Sequence, residues 1–338
     1  MSQYLLQRLV LLALMLLGLL LVTFAIARVV PGDPARLAAG PDATESMVQT
    51  VRAKYGLDRP LPVQFGRYVA GLVVGDLGQS IRSHNAVRDD LLRYFPNTLE
   101  LVTLALLLAV AVGVPLGMLA AVYKDTWIDH LTRVVSVSGV AVPAFWLGLM
   151  LQLVAALHLG WLPLGGRLKL TTLPPEPITH LLLLDALLRG QWATLAGALH
   201  HAVLPVVTLC LPALASIMRV NRAEMIEVLR QDYITNARAQ GLPGFRVVTR
   251  YALKNAMIPT LAMIGLRYGW MLGGTILVET VFDWPGIGLY AVNAAVSSDF
   301  QPVVGVTLLL GLNFMVANLL VDIAYGWLDP RVRRSSAA

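Results

Sequence analysis

Six long runs of apolar residues constrain this chain more than anything else in its sequence. They cover about residues 9–30, 99–122, 134–159, 199–220, 259–282 and 303–323. A bilayer core takes about 20 apolar helical residues, and a continuous run of that length fits a helix rather than the alternating ten-residue segments of a barrel. Only 14% of the residues are charged, against about 25% in an ordinary soluble domain. The expected fold class is an all-α integral membrane protein with about six transmembrane helices.

The first run follows Arg8 and is longer than the roughly 7–15 residues of a signal-peptide core, so it is expected to be retained as a span. Val30-Pro31-Gly32-Asp33-Pro34 ends it, since two prolines cannot continue a helix. Residues 31–98 are polar and mixed, with helical pieces expected at Glu45–Tyr55 and Pro62–Val74. Asn97 reads as an N-cap of the second span, with Glu100 at its third position. The third span contains Pro143, and the fourth is interrupted by Pro205 and Pro212. Residues 160–198 are rich in proline and leucine, and their 181–188 run is too short to cross a bilayer. The domain plan is therefore 1–98, a first helix with a long outer segment; 99–326, a core; and 327–338, a tail.

Basic residues set the orientation. The short outer segments 160–198 and 283–302 carry only Arg167, Lys169 and Arg189, whereas residues 221–259 alone carry Arg222, Arg230, Arg238, Arg246, Arg250 and Lys254. The positive-inside rule then puts this loop and both termini in the cytoplasm. No aromatic-interleaved basic patch accompanies the net charge of +6, so nucleic acid is not expected as a partner. One cysteine, Cys210, excludes a disulfide within the chain and reads as a small buried hydrophobe.

The loop itself has internal order. Residues 231–240 suit a short helix, Gly241 suits a left-handed C′ position, and residues 245–257 read as a second helix that ends where Pro259 starts the fifth span. Ala237, Ala239 and Tyr233 are offered to something below the membrane, and Val247, Val248, Tyr251 and Ala252 form an apolar face. A plain solvated connector would carry the same charge, but near forty residues exceeds a usual connection.

The segments Asp232 to Leu242 and Tyr251 to Pro259 resemble the EAA loop of binding-protein-dependent ABC importer permeases, specifically the B-type permease of the dipeptide/oligopeptide/nickel branch. The resemblance extends along nearly the whole chain, through Tyr55 to Gln64, Gly75 to Ser80, Val142 to Trp146, His201 to Pro205, Glu279 to Gly288 and Asp329-Pro330-Arg331. Thr235-Asn236-Ala237 stands in place of Glu-Ala-Ala, so no glutamate-specific role carries over. The resemblance implies type I importer architecture in a bacterial inner membrane. It implies a coupling helix made by Asp232, Tyr233, Thr235, Asn236, Ala237, Arg238, Ala239, Gln240 and Gly241. The implied partners are a second, C-type permease, two ATP-binding subunits and a periplasmic binding protein. ATP and magnesium would sit on those subunits, because this chain has no P-loop sequence. The implied cargo is a dipeptide or short peptide, with a nickel chelate, glutathione or another small solute as alternatives.

Charged groups at membrane depth are candidates for the pathway. Arg267 lies eight residues into the fifth span and, on a helical wheel, points away from the ridge of Gly265, Gly269 and Gly273. A watery cavity is its expected surrounding, where it would attract a peptide carboxylate or pair with a carboxylate of another span. Glu279, Asp283 and Trp284 flank the outer end of that span as gate or interface anchor. Adjacent His200 and His201 diverge by about 100° and do not suit one metal. Neither a G-x-S-x-G nor an H-E-x-x-H motif supports an intramembrane enzyme, and Asp322 is the lone carboxylate candidate for a secondary transporter. No catalytic, cofactor or metal residue is expected.

Overall fold

A computed structural model describes residues 2–29, 36, 43–54, 58–297 and 299–328. The expected breaks at Val30 to Pro34 and Asp329-Pro330-Arg331 fall outside the described residues, as does the start of the Tyr55 to Gln64 motif. Among the described residues the regular elements are all helices, joined by turns and loops such as 159–181, with one isolated bridge between Gln79 and Ala86. Its helices are α1 (Ser2–Val29), α2 (Glu45–Lys54), α3 (Leu61–Val73), α4 (Val87–Val122), α5 (Trp127–Ala141), α6 (Ala144–His158), α7 (Leu182–Leu188), α8 (Trp192–Val228), α9 (Asp232–Ala239), α10 (Gly244–Val281), α11 (Ile287–Val296) and α12 (Phe300–Leu328). Among the described residues α4, α8, α10 and residues Phe300–Val321 of α12 are long and apolar enough to span a membrane. The α5–α6 pair is a fifth if counted as one broken span, and α1 contributes the apolar stretch Ala13–Ala25.

The third apolar run is two helices meeting at 102° rather than one kinked span. Proline explains the break: Val142 before it is held extended, and Pro143 has no N–H to give the preceding turn. The other runs have the expected centres but longer helices. α4 starts ten residues before Asn97, so Asn97 and Glu100 are interior residues and form no cap. α8 passes through Pro205 and Pro212 without interruption and runs on past Arg222. Pro259 is inside α10, and the expected separate helix at 245–257 is its first part, carried by a π-turn at Val247–Ala252.

Two compact units divide the chain: Met1–Pro96 with Gly286–Met315, and Asn97–Pro285 with Val316–Ala338. In the first, Val87, Leu91, Ile287 and Val306 form the core. Asp90 is buried beside it and accepts hydrogen bonds from the Ser83 hydroxyl, the Asn85 amide and the Tyr290 hydroxyl.

The second unit is built around α8. Ala202, Leu209, Ala213, Ala215, Ile217 and Met218 are buried on it, and α10, α5, α6 and α7 all pack against it. Close approach is paid in side-chain size: a Cβ on Gly117 of α4 would lie 2.7 Å from the Met218 carbonyl oxygen. Gly265 of α10 is equally tight against Val321, while Gly273 has nothing within 4 Å, so the expected glycine ridge packs at only one of those two positions.

Candidate functional site

The loop end of the second unit is a small folded platform. α9 begins after a turn at residues 229–231 and carries Asp232 in its first turn and Arg238 in its last, as the helix dipole favours. Its end is a full Schellman closure. Leu242 N–H donates to the Ala237 carbonyl at 3.3 Å and Gly241 N–H to the Arg238 carbonyl at 2.9 Å, with Gly241 at φ +79°. Only glycine takes that conformation without a Cβ penalty.

The buried face of α9 is Ile234 and Ala237, which join Ala121, Met225, Val247, Ala252 and Ala256 in one apolar cluster. Ala237 therefore turns inward and is not offered to a partner, a correction that follows from its position three residues after Ile234 on the same face. Tyr251 is half-exposed and stays outside the cluster, while Val248 packs on its edge. Exposed on the opposite face are Asp232, Tyr233, Thr235, Asn236, Arg238, Ala239 and Gln240, with Gly241 at the end. The Tyr233 hydroxyl accepts from the Asn255 amide at 2.8 Å.

An ion cluster braces this platform. Asp129 at the start of α5 is fully buried and accepts from Arg222 of α8 at 2.8 Å and from Arg133 at 2.6 Å. Arg222 is thus a structural cation in a helix, not a loop charge.

A second polar cluster closes the other end of α10. Arg167, from the loop between α6 and α7, donates to Glu100 and to the Asn97 side chain, both on α4. Glu100 also accepts from Leu183 N–H at 2.6 Å. The Arg167 guanidinium lies 5.3 Å from the Trp284 ring centre, and the Trp284 indole donates to the Asn97 carbonyl at 3.0 Å. Burial pulls the Arg167 pKa below the usual guanidinium value, and the Glu100 charge opposes that pull. Glu279, fully buried, accepts from the Thr98 hydroxyl at 2.6 Å.

The sequence-expected pathway residues thus separate. Trp284 and Glu279 are buried in this cluster, so Trp284 is not an exposed interface anchor. Asp283 is exposed at φ +47°. Arg267 is half-buried in α10, and its Nε is buried without a hydrogen-bond partner. The side chain of Asp322 lies outside the described residues. His200 bonds the Trp161 carbonyl, His201 and Cys210 are buried, and no metal-holding group exists among the described residues. Sequence reading missed Glu100, Arg167 and Asp129. Their signal was a carboxylate inside or beside an apolar run, which demands a cation somewhere in the fold.

Two family models match the chain. The model for the inner membrane component of binding-protein-dependent transport systems covers residues 113–334, and the model for the N-terminal part of such membrane components covers residues 1–102. The chain belongs to this permease family. The permease is 46% identical over 323 residues to the protein named "Probable D,D-dipeptide transport system permease protein DdpB" of Escherichia coli (strain K12), covering 96% of this chain and 95% of that one. It is 38% identical over 336 residues to the dipeptide transport system permease protein DppB of Alkalihalophilus pseudofirmus, covering 98% and 100%. A glutathione transport system permease protein, GsiC of Escherichia coli O6:H1, is 37% identical over 333 residues, covering 98% and 99%. The all-α membrane fold, the dipeptide-type branch and the transport role read from the sequence therefore stand for this permease.

Proposed function

We propose that the permease forms half of the translocation pathway of an ATP-driven importer of dipeptides and short peptides. A C-type permease supplies the other half, a periplasmic binding protein delivers cargo, and one of two ATP-binding subunits docks beneath α9. The chain is no enzyme: ATP and magnesium are bound by those subunits. It lies in the bacterial inner membrane with both termini and the 229–243 loop in the cytoplasm.

The observation that carries this reading is the platform itself. α9 presents Asp232, Tyr233, Thr235, Asn236, Arg238, Ala239 and Gln240 outward from a base that cannot shift without breaking an apolar core. A short helix fixed in this way suits a groove on a partner. ATPase closure then moves α4, α8 and α10 with the loop, because the cluster beneath α9 includes Ala121, Met225 and Ala256 of those helices. At the outer end, Glu279 and Trp284 shape the mouth as part of a fixed cluster, while Arg267 and Asp283 are the accessible charges along the path.

The peptide cargo is favoured because the D,D-dipeptide and dipeptide permeases are among the most similar relatives. Glutathione is the second reading. Uptake of labelled dipeptide by vesicles holding the complete transporter, with unlabelled glutathione as competitor, decides between them. Dipeptide uptake that needs ATP and binding protein supports the proposal. Uptake of glutathione alone overturns the peptide assignment.

A further inference from the structure

α3 is apolar on two opposite sides, and the chain packs only one of them. Phe65 and Tyr68 pack on Phe24 of α1, with ring centres 5.3 and 5.8 Å away. Val63, Arg67, Ala70 and the C-cap residue Val74 recur at spacings of four and three on the other side, all exposed, with exposed Val73 beside them. Val73 and Val74 are 82% and 76% exposed. Arg67 is the one charged residue of α3, and the helix has no carboxylate. A helix that is apolar around most of its circumference is stable in a core or in lipid, so its open face needs a cover.

Contacts within the first unit fix the depth of that face. α1 crosses the bilayer and α4 returns. α12 starts beside the start of α4, where a Cβ on Gly305 would meet Val87 at 2.8 Å, so α1 and α12 run in opposite directions. A Cβ on Gly311 of α12 would lie 2.4 Å from Leu19 of α1, which makes those two residues level. Phe24 is five residues further along α1, and so is level with about residue 306 of α12. Directly after α3, Leu77 lies 3.9 Å from the Cβ position of Gly305, and a Cβ on Gly78 would meet Gln301 at 2.9 Å. The middle of α3 and its end are therefore both level with about residues 301–306 of α12. The charge-free stretches of the two spans, residues 9–27 and 300–321, end at Arg28 and Asp299, and Arg28 is level with about residue 302. α3 is thus beside the edge of the hydrocarbon layer, within about 10 Å of it.

A face of valine and alanine at that depth meets acyl chains, and a partner arriving from water would have to enter the headgroup layer to cover it. Arginine suits the same place, because its stem lies along apolar surface while the guanidinium reaches a lipid phosphate. We infer that α3 is an interfacial helix held against the bilayer beside α1, with Val63, Ala70, Val73 and Val74 at the acyl boundary and Arg67 on the headgroup phosphates. The occupant of the open face is the membrane lipid itself. It gives the segment between α1 and α4 a foothold of its own on the membrane. The orientation proposed above makes this the outer leaflet, whereas the contact itself depends only on the membrane fold and not on the cargo.

The complete transporter is reconstituted in vesicles of phosphatidylethanolamine and phosphatidylglycerol, with a nitroxide label on Val63→Cys, Val73→Cys or Val74→Cys. Wild type, whose Cys210 is buried, is taken through the same labelling as the blank. Leu14→Cys, at an exposed position of α1 within the bilayer, is the lipid reference. Collisions of each label with oxygen, which concentrates in lipid, and with a water-soluble nickel chelate report what covers it. All three labels are expected to favour oxygen over nickel, as the Leu14→Cys label does, at a depth of about 5–10 Å into the headgroup–acyl boundary. Arg67→Glu removes the phosphate contact and is expected to move the Val74→Cys label toward water. The labels occupy separate turns, so one variant that fails to insert leaves the others to decide. Labels that favour nickel overturn the inference, because the face is then in water. Labels shielded from both agents, with or without added binding protein, overturn it too, because a protein then covers the face. An unchanged depth in Arg67→Glu overturns the phosphate contact.

Discussion

Replacing Asp129 with alanine tests the brace beneath the coupling platform. Asp129 is fully buried and holds Arg222, whose side chain is only 20% exposed. Removing one partner of a buried pair costs about 3–5 kcal/mol, because the other charge is left uncompensated. The residual exposure of Arg222 lets some water reach it, so the low end, about 3 kcal/mol, applies here. Melting temperatures of chains above 150 residues move by about 2–4 °C per kcal/mol, and this long chain belongs at the low end, which gives a drop of about 6 °C. Asp129→Asn keeps an oxygen acceptor and should lose less. The double change Asp129→Ala with Arg222→Met removes the stranded cation and should recover most of the loss. The assay is thermal melting of the purified transporter in detergent, followed by tryptophan fluorescence. An unshifted Asp129→Ala protein, or a double variant in which the two losses simply add, refutes the brace.

Gly265→Ala puts a methyl group 2.4 Å from Val321 Cγ2 and should destabilise by about 1–3 kcal/mol, whereas Gly273→Ala on the same helix meets nothing within 4 Å and should be neutral or stabilising; paired melting curves check the contrast. Asp185 should give an acid-side dependence. Burial alone would raise its pKa, but hydrogen bonds from the Thr179 hydroxyl and backbone N–H outweigh burial and hold it below the usual carboxylate value. Its contribution to stability is therefore complete above the unfolded carboxylate pKa of about 3.9 and is lost as pH falls through the lower folded value. The difference in melting temperature between wild type and Asp185→Asn should shrink as pH falls below about 4.

The helices were legible in the sequence because each apolar run is longer than anything a loop could hide. Their ends were not. Asp89 and Asp90 read as loop residues before the second span, yet they are in α4, where Ser83, Asn85 and Tyr290 satisfy Asp90. Arg222 and Asn221 read as loop residues, yet α8 carries them, one bonded to Asp129 and the other to Thr260. The Gly241 stop was readable because its cause is local, a left-handed residue closing a short helix. The ion clusters were not, because Arg167 is 67 positions from Glu100 and Arg222 is 93 from Asp129, and only packing brings them together. Ala237 was misplaced for a related reason: a small residue suits a tight core as well as a tight interface, and the core claimed it.

The central claim is that the outward face of α9 ties ATP hydrolysis to transport. Its most direct measurement is peptide imported per ATP hydrolysed by the complete transporter carrying Arg238→Glu. Arg238 is exposed and takes no part in the apolar cluster, so the variant should fold and insert as wild type does. The account predicts that peptide imported per ATP falls by at least tenfold while melting temperature falls by no more than about 2 °C, the cost of one unfavourable charge at the end of a helix dipole. An unchanged ratio, or uptake driven by this chain alone on an ion gradient, contradicts it.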